Sequence, residues 1–105
     1  MADPDPPGLA LDAVSGWLSA RGLAGGPLTA TLVAGGRSNL TYLLTSDSSQ
    51  EGHLVLRRPP LGHVLATAHD MAREHRVLSA LHGTPVPVPR PLALCTDETV
   101  TGAPF

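Results

Sequence analysis

Apolar residues recur at helical spacing near the amino terminus. Four of them are spaced one, three or four positions apart. This spacing places them on one face of a predicted helix that spans residues 9–21. Gly22 follows at the position where glycine commonly ends a helix. The four apolar positions are Leu11, Val14, Trp17 and Leu18.

A second stripe of apolar residues predicts a longer helix from Thr67 to His82. Met71, Leu78 and Leu81 share one face of it. Thr67 followed by Asp70 resembles a capping box at its start, and Gly83 is placed to end it.

Between the two helices, three short runs have the character of β-strands. They cover residues 29–34, 41–45 and 53–58, and Pro59-Pro60 stops the third. A glycine-containing turn separates the first two runs, and the polar residues 46–52 separate the second from the third. Short connections of this kind predict an antiparallel meander, and with it an α+β fold in which the Thr67–His82 helix packs on one face of the sheet.

The remainder of the chain is predicted to be extended. Prolines between residues 85 and 91 exclude a helix there, and residues 92–96 are apolar enough for a fourth strand. Residues 97–102 are expected to form a polar turn. Residues 103–105 resemble the start of a fifth strand that these 105 residues do not complete, which would leave an apolar edge open to a partner.

Composition narrows the class of protein. The chain has a net charge of −2, so it offers no electrostatic case for binding nucleic acid. Its single cysteine, Cys95, excludes an internal disulfide and suits a reducing compartment, so we expect a cytoplasmic protein. Residues 1–8, rich in Asp and Pro, are expected to be a mobile tail that is neither a signal peptide nor a membrane anchor. Residues 9–105 are long enough for one domain with one core.

The turn between the first two strands carries candidate chemistry. It reads Gly35-Gly36-Arg37-Ser38-Asn39. The simpler interpretation is a tight hairpin turn that uses glycine for its backbone angles. The alternative is a phosphate-binding loop, in which the glycines let the backbone approach an anion that Ser38 and Asn39 help to hold.

A carboxylate, Glu74, lies in the apolar stripe of the second helix, where it would be partly desolvated and would favour a cationic partner. Arg57 is the natural candidate, because it points to the same side of its strand as Val55 whereas Arg58 points to the other. The alternative is that Glu74 pairs with Arg73, Arg76 or solvent. The histidines of this helix lack the spacing of a metal site, and no catalytic nucleophile or metal ligand is predicted.

The order of these features resembles the N-terminal lobe of a protein-kinase-like fold. Four blocks, residues 35–42, 55–60, 73–81 and 86–92, are similar to the aminoglycoside phosphotransferase family. They are most similar to the branch whose relatives are fused to acyl-CoA dehydrogenases. The resemblance implies that the 35–42 loop covers the phosphates of ATP, that Arg57 stands where kinases place a phosphate-binding lysine, and that Glu74 orients it.

The chain departs from the family pattern in two ways. Arg57 replaces the usual lysine, and the sequence contains no lysine at all. The family's catalytic and magnesium-binding motifs belong to a C-terminal lobe, and these motifs are absent from the 105 residues. We therefore expect the ATP-binding lobe of a small-molecule phosphotransferase, with Gly35, Gly36, Ser38, Asn39, Arg57 and Glu74 near the nucleotide.

On its own the chain is expected to be inactive. The hydroxyl substrate and Mg²⁺ would be bound only with the missing lobe. Two alternatives remain open. The chain could be a non-catalytic nucleotide-binding or protein-interaction module that needs a separate lobe or partner. It could also be a structural fragment that binds no ligand, in which case millimolar ATP would produce no thermal shift.

Overall fold

The structure, a computed structural model, describes residues 5–24, 28–35, 39–46, 53–61 and 65–105, with only the backbone of 46 and 65–70. The expected turn at 46–52 falls largely outside these residues. So do Gly36, Arg37 and Ser38 and the capping side chains of Thr67 and Asp70. The elements are α1 (Leu11–Ala20), β1 (Leu28–Ala34), β2 (Leu40–Ser46), β3 (His53–Arg58), α2 (Leu65–Leu81) and α3 (Glu98–Thr101).

The three strands form the predicted antiparallel meander in the order β1-β2-β3. Leu28 of β1 lies opposite Ser46 of β2, and Leu40 of β2 lies opposite Arg58 of β3. The β1–β2 register shifts between Leu32 and Ala34, just before the glycine turn, as a β-bulge does.

One face of this sheet builds the core. Side chains alternate across a strand, so Leu40, Tyr42 and Leu44 of β2 face the same way, and all three are buried. Val14 and Leu18 of α1 pack against them in one hydrophobic cluster. The helix that covers this face is therefore α1. The predicted α+β fold is confirmed: besides α1, helix α2 is joined to β3 by an ion pair and contributes the separately buried Met71.

Helix α1 ends as its sequence predicts. Gly22 has φ of 70°. The N–H of Leu23 donates to the carbonyl of Leu18, and that of Gly22 donates to Ser19. This is the bonding pattern of a Schellman motif, which satisfies the last carbonyls of the helix and returns Leu23 to the core. Gly83, with φ of 87°, follows the end of α2 in the same left-handed region.

Arg58 joins the two ends of the chain. Its side chain is only 5% exposed. It donates to the carbonyl oxygens of Gly8 (2.7 Å), Pro59 (2.9 Å) and Thr101 (3.1 Å). The Thr101 hydroxyl accepts from the N–H of Ala10 at 2.7 Å. Residues 5–8 belong to the segment expected to be a mobile tail, and the hydrogen bonds of Arg58 to Gly8 and Thr101 link this segment to α3.

The carboxyl-terminal region differs from the predicted fourth strand and polar turn. Residues 92–96 form no strand, although Cys95 exchanges two backbone hydrogen bonds with Phe105, at 2.7 and 3.0 Å. The intervening residues contain α3, which Asp97 caps by accepting from the N–H of Thr99. A hydrogen bond from the Thr99 hydroxyl, together with the one from the Thr99 N–H, holds the pKa of the Asp97 carboxyl below its ordinary value. Within the described ranges, no helix has the length and apolar character needed to cross a membrane.

Candidate functional site

The predicted contact between Arg57 and Glu74 is present. Arg57 Nε lies 2.9 Å from Glu74 Oε1, which joins β3 to α2. The pair is only partly buried, because the Arg57 side chain is 45% exposed and that of Glu74 is 29% exposed. The buried guanidinium of β3 belongs to Arg58, which faces the core side of the sheet. Arg57 is therefore a cation at the surface, held by a carboxylate that leaves it reachable by a ligand.

Arg57 projects from the face of the sheet that α1 does not cover. On that face the registers align Thr31, Leu43 and Val55 in one row across all three strands. Val55 is 65% exposed. The adjacent row brings Thr41 opposite Arg57. The result is a surface on which Leu43 and Val55 lie beside two threonines and one guanidinium, and we call these two rows the outer sheet face.

Gly35 and Asn39, which flank the undescribed residues 36–38, lie at one end of the outer sheet face. A methyl group on Gly35 would come within 2.6 Å of Leu40 Cδ2, so a larger residue here would force the buried Leu40 side chain to shift. Asn39 lies two residues before Thr41, the cross-strand partner of Arg57. At roughly 3.4 Å per residue, Asn39 is about 7 Å along β2 from the row that contains Arg57.

Of the predicted site residues, Gly35 and Asn39 lie next to the paired ends of β1 and β2, and Arg57 and Glu74 form the ion pair between β3 and α2. Gly36 and Ser38 lie outside the described residues. Sequence reasoning missed Leu43 and Thr41, which became visible only through the strand register. Period-two alternation from Arg57 and Val55 could have supplied the signal, but the pairing with β2 could not be known without the turn geometry.

No other chemical centre is found in the described part of the chain. It contains no cluster of three or more His, Cys, Asp or Glu side chains that could hold a metal ion. Cys95 is buried, and burial is the main reason that the pKa of its thiol is raised. A thiol kept protonated in this way is a poor nucleophile and packs as a small apolar residue.

The sequence was compared with known proteins. Residues 29–105 match the phosphotransferase enzyme family (APH). Acyl-CoA dehydrogenase family member 10 of Mus musculus is 41% identical over 80 residues, which cover 76% of this chain and 7% of that protein. The probable acyl-CoA dehydrogenase IBR3 of Arabidopsis thaliana is 46% identical over 72 residues, covering 67% and 9%.

Acyl-CoA dehydrogenase family member 11 of Homo sapiens is 39% identical over 80 residues, covering 74% of this chain and 10% of that protein. The chain thus spans about a tenth or less of the curated relatives it matches. No solved structure matches it. Both the family resemblance and its branch are confirmed by these similarities.

Proposed function

Since this chain belongs to the phosphotransferase enzyme family, we propose that its outer sheet face is the nucleotide-binding surface of an ATP-dependent small-molecule phosphotransferase. The family match supports a kinase-like phosphotransferase fold. We propose in addition that the nucleotide is ATP and that the substrate carries a hydroxyl group.

The single observation that carries the proposal is the geometry of Arg57. Its contact with Glu74 engages Nε, and a guanidinium has four further N–H donors on its terminal nitrogens. These donors match the spacing of phosphate oxygens. Glu74 holds the Arg57 side chain in place and leaves these four N–H donors available to a ligand. Because the Arg57 side chain is half-exposed, a solvated polyphosphate can reach it.

The rest of the outer sheet face suits the remainder of a nucleotide. Leu43 and Val55 supply a flat apolar surface next to the cation, on which a purine could stack. If the base covered Leu43, the phosphates would extend past Arg57 towards Gly35 and Asn39. Gly35 and Asn39 would then contribute backbone N–H and amide donors to the same anion.

Magnesium does not fit the described residues. Proteins hold Mg²⁺ through one or two free carboxylates together with substrate phosphates, and Glu74, the carboxylate beside Arg57, is already engaged by that arginine. We therefore derive no step through a metal held by these residues. Within the proposal, binding and orienting the triphosphate is the role of this segment, and residues beyond it would activate the acceptor hydroxyl.

The proposal predicts how ATP affinity responds at Arg57. Replacing Arg57 with glutamine should weaken ATP binding about tenfold, since a charge-assisted hydrogen bond to phosphate is worth on the order of 1.5–3 kcal/mol. Arg57→Lys should recover part of the affinity, because the cation is retained without the planar fork. Isothermal titration calorimetry at low ionic strength measures both.

Arg76→Gln is the matched control, because it removes one exposed positive charge from the outer side of α2. Only a small, salt-dependent change is expected there. If Arg76→Gln weakened ATP binding as much as Arg57→Gln, the attraction would be a general charge effect, and the proposed site would be wrong.

A further inference from the structure

A third cross-strand row lies on the side of the sheet that carries Arg57. The registers place Thr29 of β1 opposite Thr45 of β2, and Thr45 opposite His53 of β3. These side chains share a face with Arg57 because residues two or four apart on a strand point the same way. All three can form hydrogen bonds, and we call them the polar row. The row that contains Leu43 and Val55 separates the polar row from Arg57.

Hydrogen bonds orient the side chains of the polar row. The Thr29 hydroxyl donates to the carbonyl of Thr45 at 3.4 Å. The Thr45 hydroxyl lies 3.3 Å from Nδ1 of His53. Because Nδ1 is engaged by Thr45, Nε2 is the ring nitrogen that a ligand on this face would meet. The His53 side chain is exposed, so a ligand can reach it.

The contact with Thr45 allows Nε2 of His53 to take either hydrogen-bonding role. If the Thr45 hydroxyl donates to Nδ1, the neutral ring carries its proton on Nε2 and donates there. If Nδ1–H donates to the Thr45 oxygen, Nε2 is an acceptor. A hydroxyl can donate or accept, so Thr45 supports both states. The pair can therefore meet an acceptor atom or an amino group on the edge of a base.

The rows follow one another in the order that the parts of a nucleotide require. Residues two apart on a strand are separated by about 7 Å, so Val55 lies about that far from Arg57 and His53 about the same distance beyond Val55. A base that stacks on Leu43 and Val55, with its sugar and phosphates towards Arg57, presents its outer edge to His53. A two-ring base extends further from its sugar than a one-ring base, so a purine is the base that reaches the polar row.

We infer that Thr45 and His53 form a subsite that recognises the edge of a purine base. The inference rests on the proposed nucleotide-binding role of the outer sheet face and adds the residues that set the base preference. Because Nε2 of His53 can donate or accept, adenine and guanine nucleotides should bind with similar affinities. A cytosine nucleotide should gain nothing from the polar row.

The test measures the binding of ATP, GTP, CTP and inorganic tripolyphosphate by isothermal titration calorimetry. All four ligands carry the same chain of three phosphates, so they differ only in what lies beyond it. His53→Leu removes both ring nitrogens, and Thr45→Val replaces the hydroxyl with a methyl group at nearly constant volume. His53→Gln keeps a donor and an acceptor. Thr29→Val is the matched control, because it makes the same change as Thr45→Val on the strand further from His53.

We expect His53→Leu and Thr45→Val each to weaken ATP and GTP binding about fivefold, which corresponds to the loss of one hydrogen bond. The affinities for CTP and tripolyphosphate should not change. His53→Gln should recover part of the affinity for ATP, and Thr29→Val should behave as the unsubstituted chain. An unchanged urea midpoint identifies variants that have kept the fold.

If His53→Leu bound ATP as tightly as the unsubstituted chain, the subsite would be wrong while the proposed function stood. Equal losses for ATP and tripolyphosphate would also overturn the subsite, since the substitution would then act on phosphate binding. If the unsubstituted chain bound neither ATP nor tripolyphosphate, the proposed function itself would fail, and the subsite with it.

Discussion

Replacing Arg58 with methionine is expected to lower the free energy of unfolding by about 3 kcal/mol, whereas Arg57→Met should lower it by less than about 1 kcal/mol. The two residues are neighbours on one strand and carry the same side chain. Arg58 is buried and donates to three backbone carbonyls, so its loss leaves buried acceptors without partners. Arg57 is half-exposed and makes one ion pair.

Urea denaturation followed by Trp17 fluorescence measures both variants on the same scale. The structure also predicts which segments lose stability. In Arg58→Met, the amide hydrogens of residues 8–10 and of α3 should exchange with solvent faster than those of β1. If Arg57→Met proved the more destabilising of the pair, the assignment of the two arginines to opposite faces would be wrong.

Tyr42→Ala is expected to cost about 4 kcal/mol, close to the whole stability of a domain of this size. Tyr42 is fully buried at the centre of β2, and its hydroxyl donates to the carbonyl of Pro7 at 2.5 Å. Alanine would remove the ring and leave a cavity against α1. Tyr42→Phe keeps the ring and loses one hydrogen bond, so about 1 kcal/mol is expected.

The same residue should govern stability at high pH. Burial raises the pKa of the Tyr42 hydroxyl in the folded chain above its ordinary value of 10.0. The contribution is present in full below pH 10, and stability is then lost as the pH rises through the folded pKa, because the unfolded chain ionises first. The sequence has no lysine, and the decline due to the buried thiol of Cys95 already begins near its ordinary pKa of 9.0, so Tyr42→Phe should flatten the part of the decline that begins at pH 10. Thermal denaturation in steps of pH checks this, and an identical slope in the variant would contradict it.

Local patterns predicted much of this fold. The α1 stripe, Gly22 and Gly83, and the three strands depend on spacing and turn chemistry within a few residues, and all are found. The contact between Arg57 and Glu74 followed from strand alternation combined with helical periodicity. The sequence could not predict that this ion pair is partly exposed, because which face of β3 is buried depends on where α1 packs.

The features that the sequence could not predict depend on contacts between residues far apart in the chain. Arg58 gains its burial from Gly8 and Thr101, which lie 50 and 43 residues away. The fourth strand was predicted from composition, but a strand needs a partner, and Cys95 pairs only with Phe105 among the described residues. Helix α3 could have been recognised from Asp97, a favourable N-cap two residues before Thr99.

The candidate site shows the same division. Motif and resemblance predicted the site residues Gly35, Asn39, Arg57 and Glu74. Their relative positions depend on the strand register and the ion pair, which the structure supplies. Leu43 and Val55 were not selected, because an exposed valine carries no chemical signal of its own. Their alignment across the strands is what turns an isolated cation into a surface on which a nucleotide could lie.

The most direct test of the account is an NMR titration of the ¹⁵N-labelled chain with ATP. It predicts that the Arg57 Nε–Hε signal and the amides of Leu43, Val55 and Asn39 shift together and saturate, while adenosine moves Leu43 and Val55 but leaves the Arg57 signal in place. An Arg57 signal unmoved at saturating ATP, or shifts concentrated on α1 and α3, would contradict it.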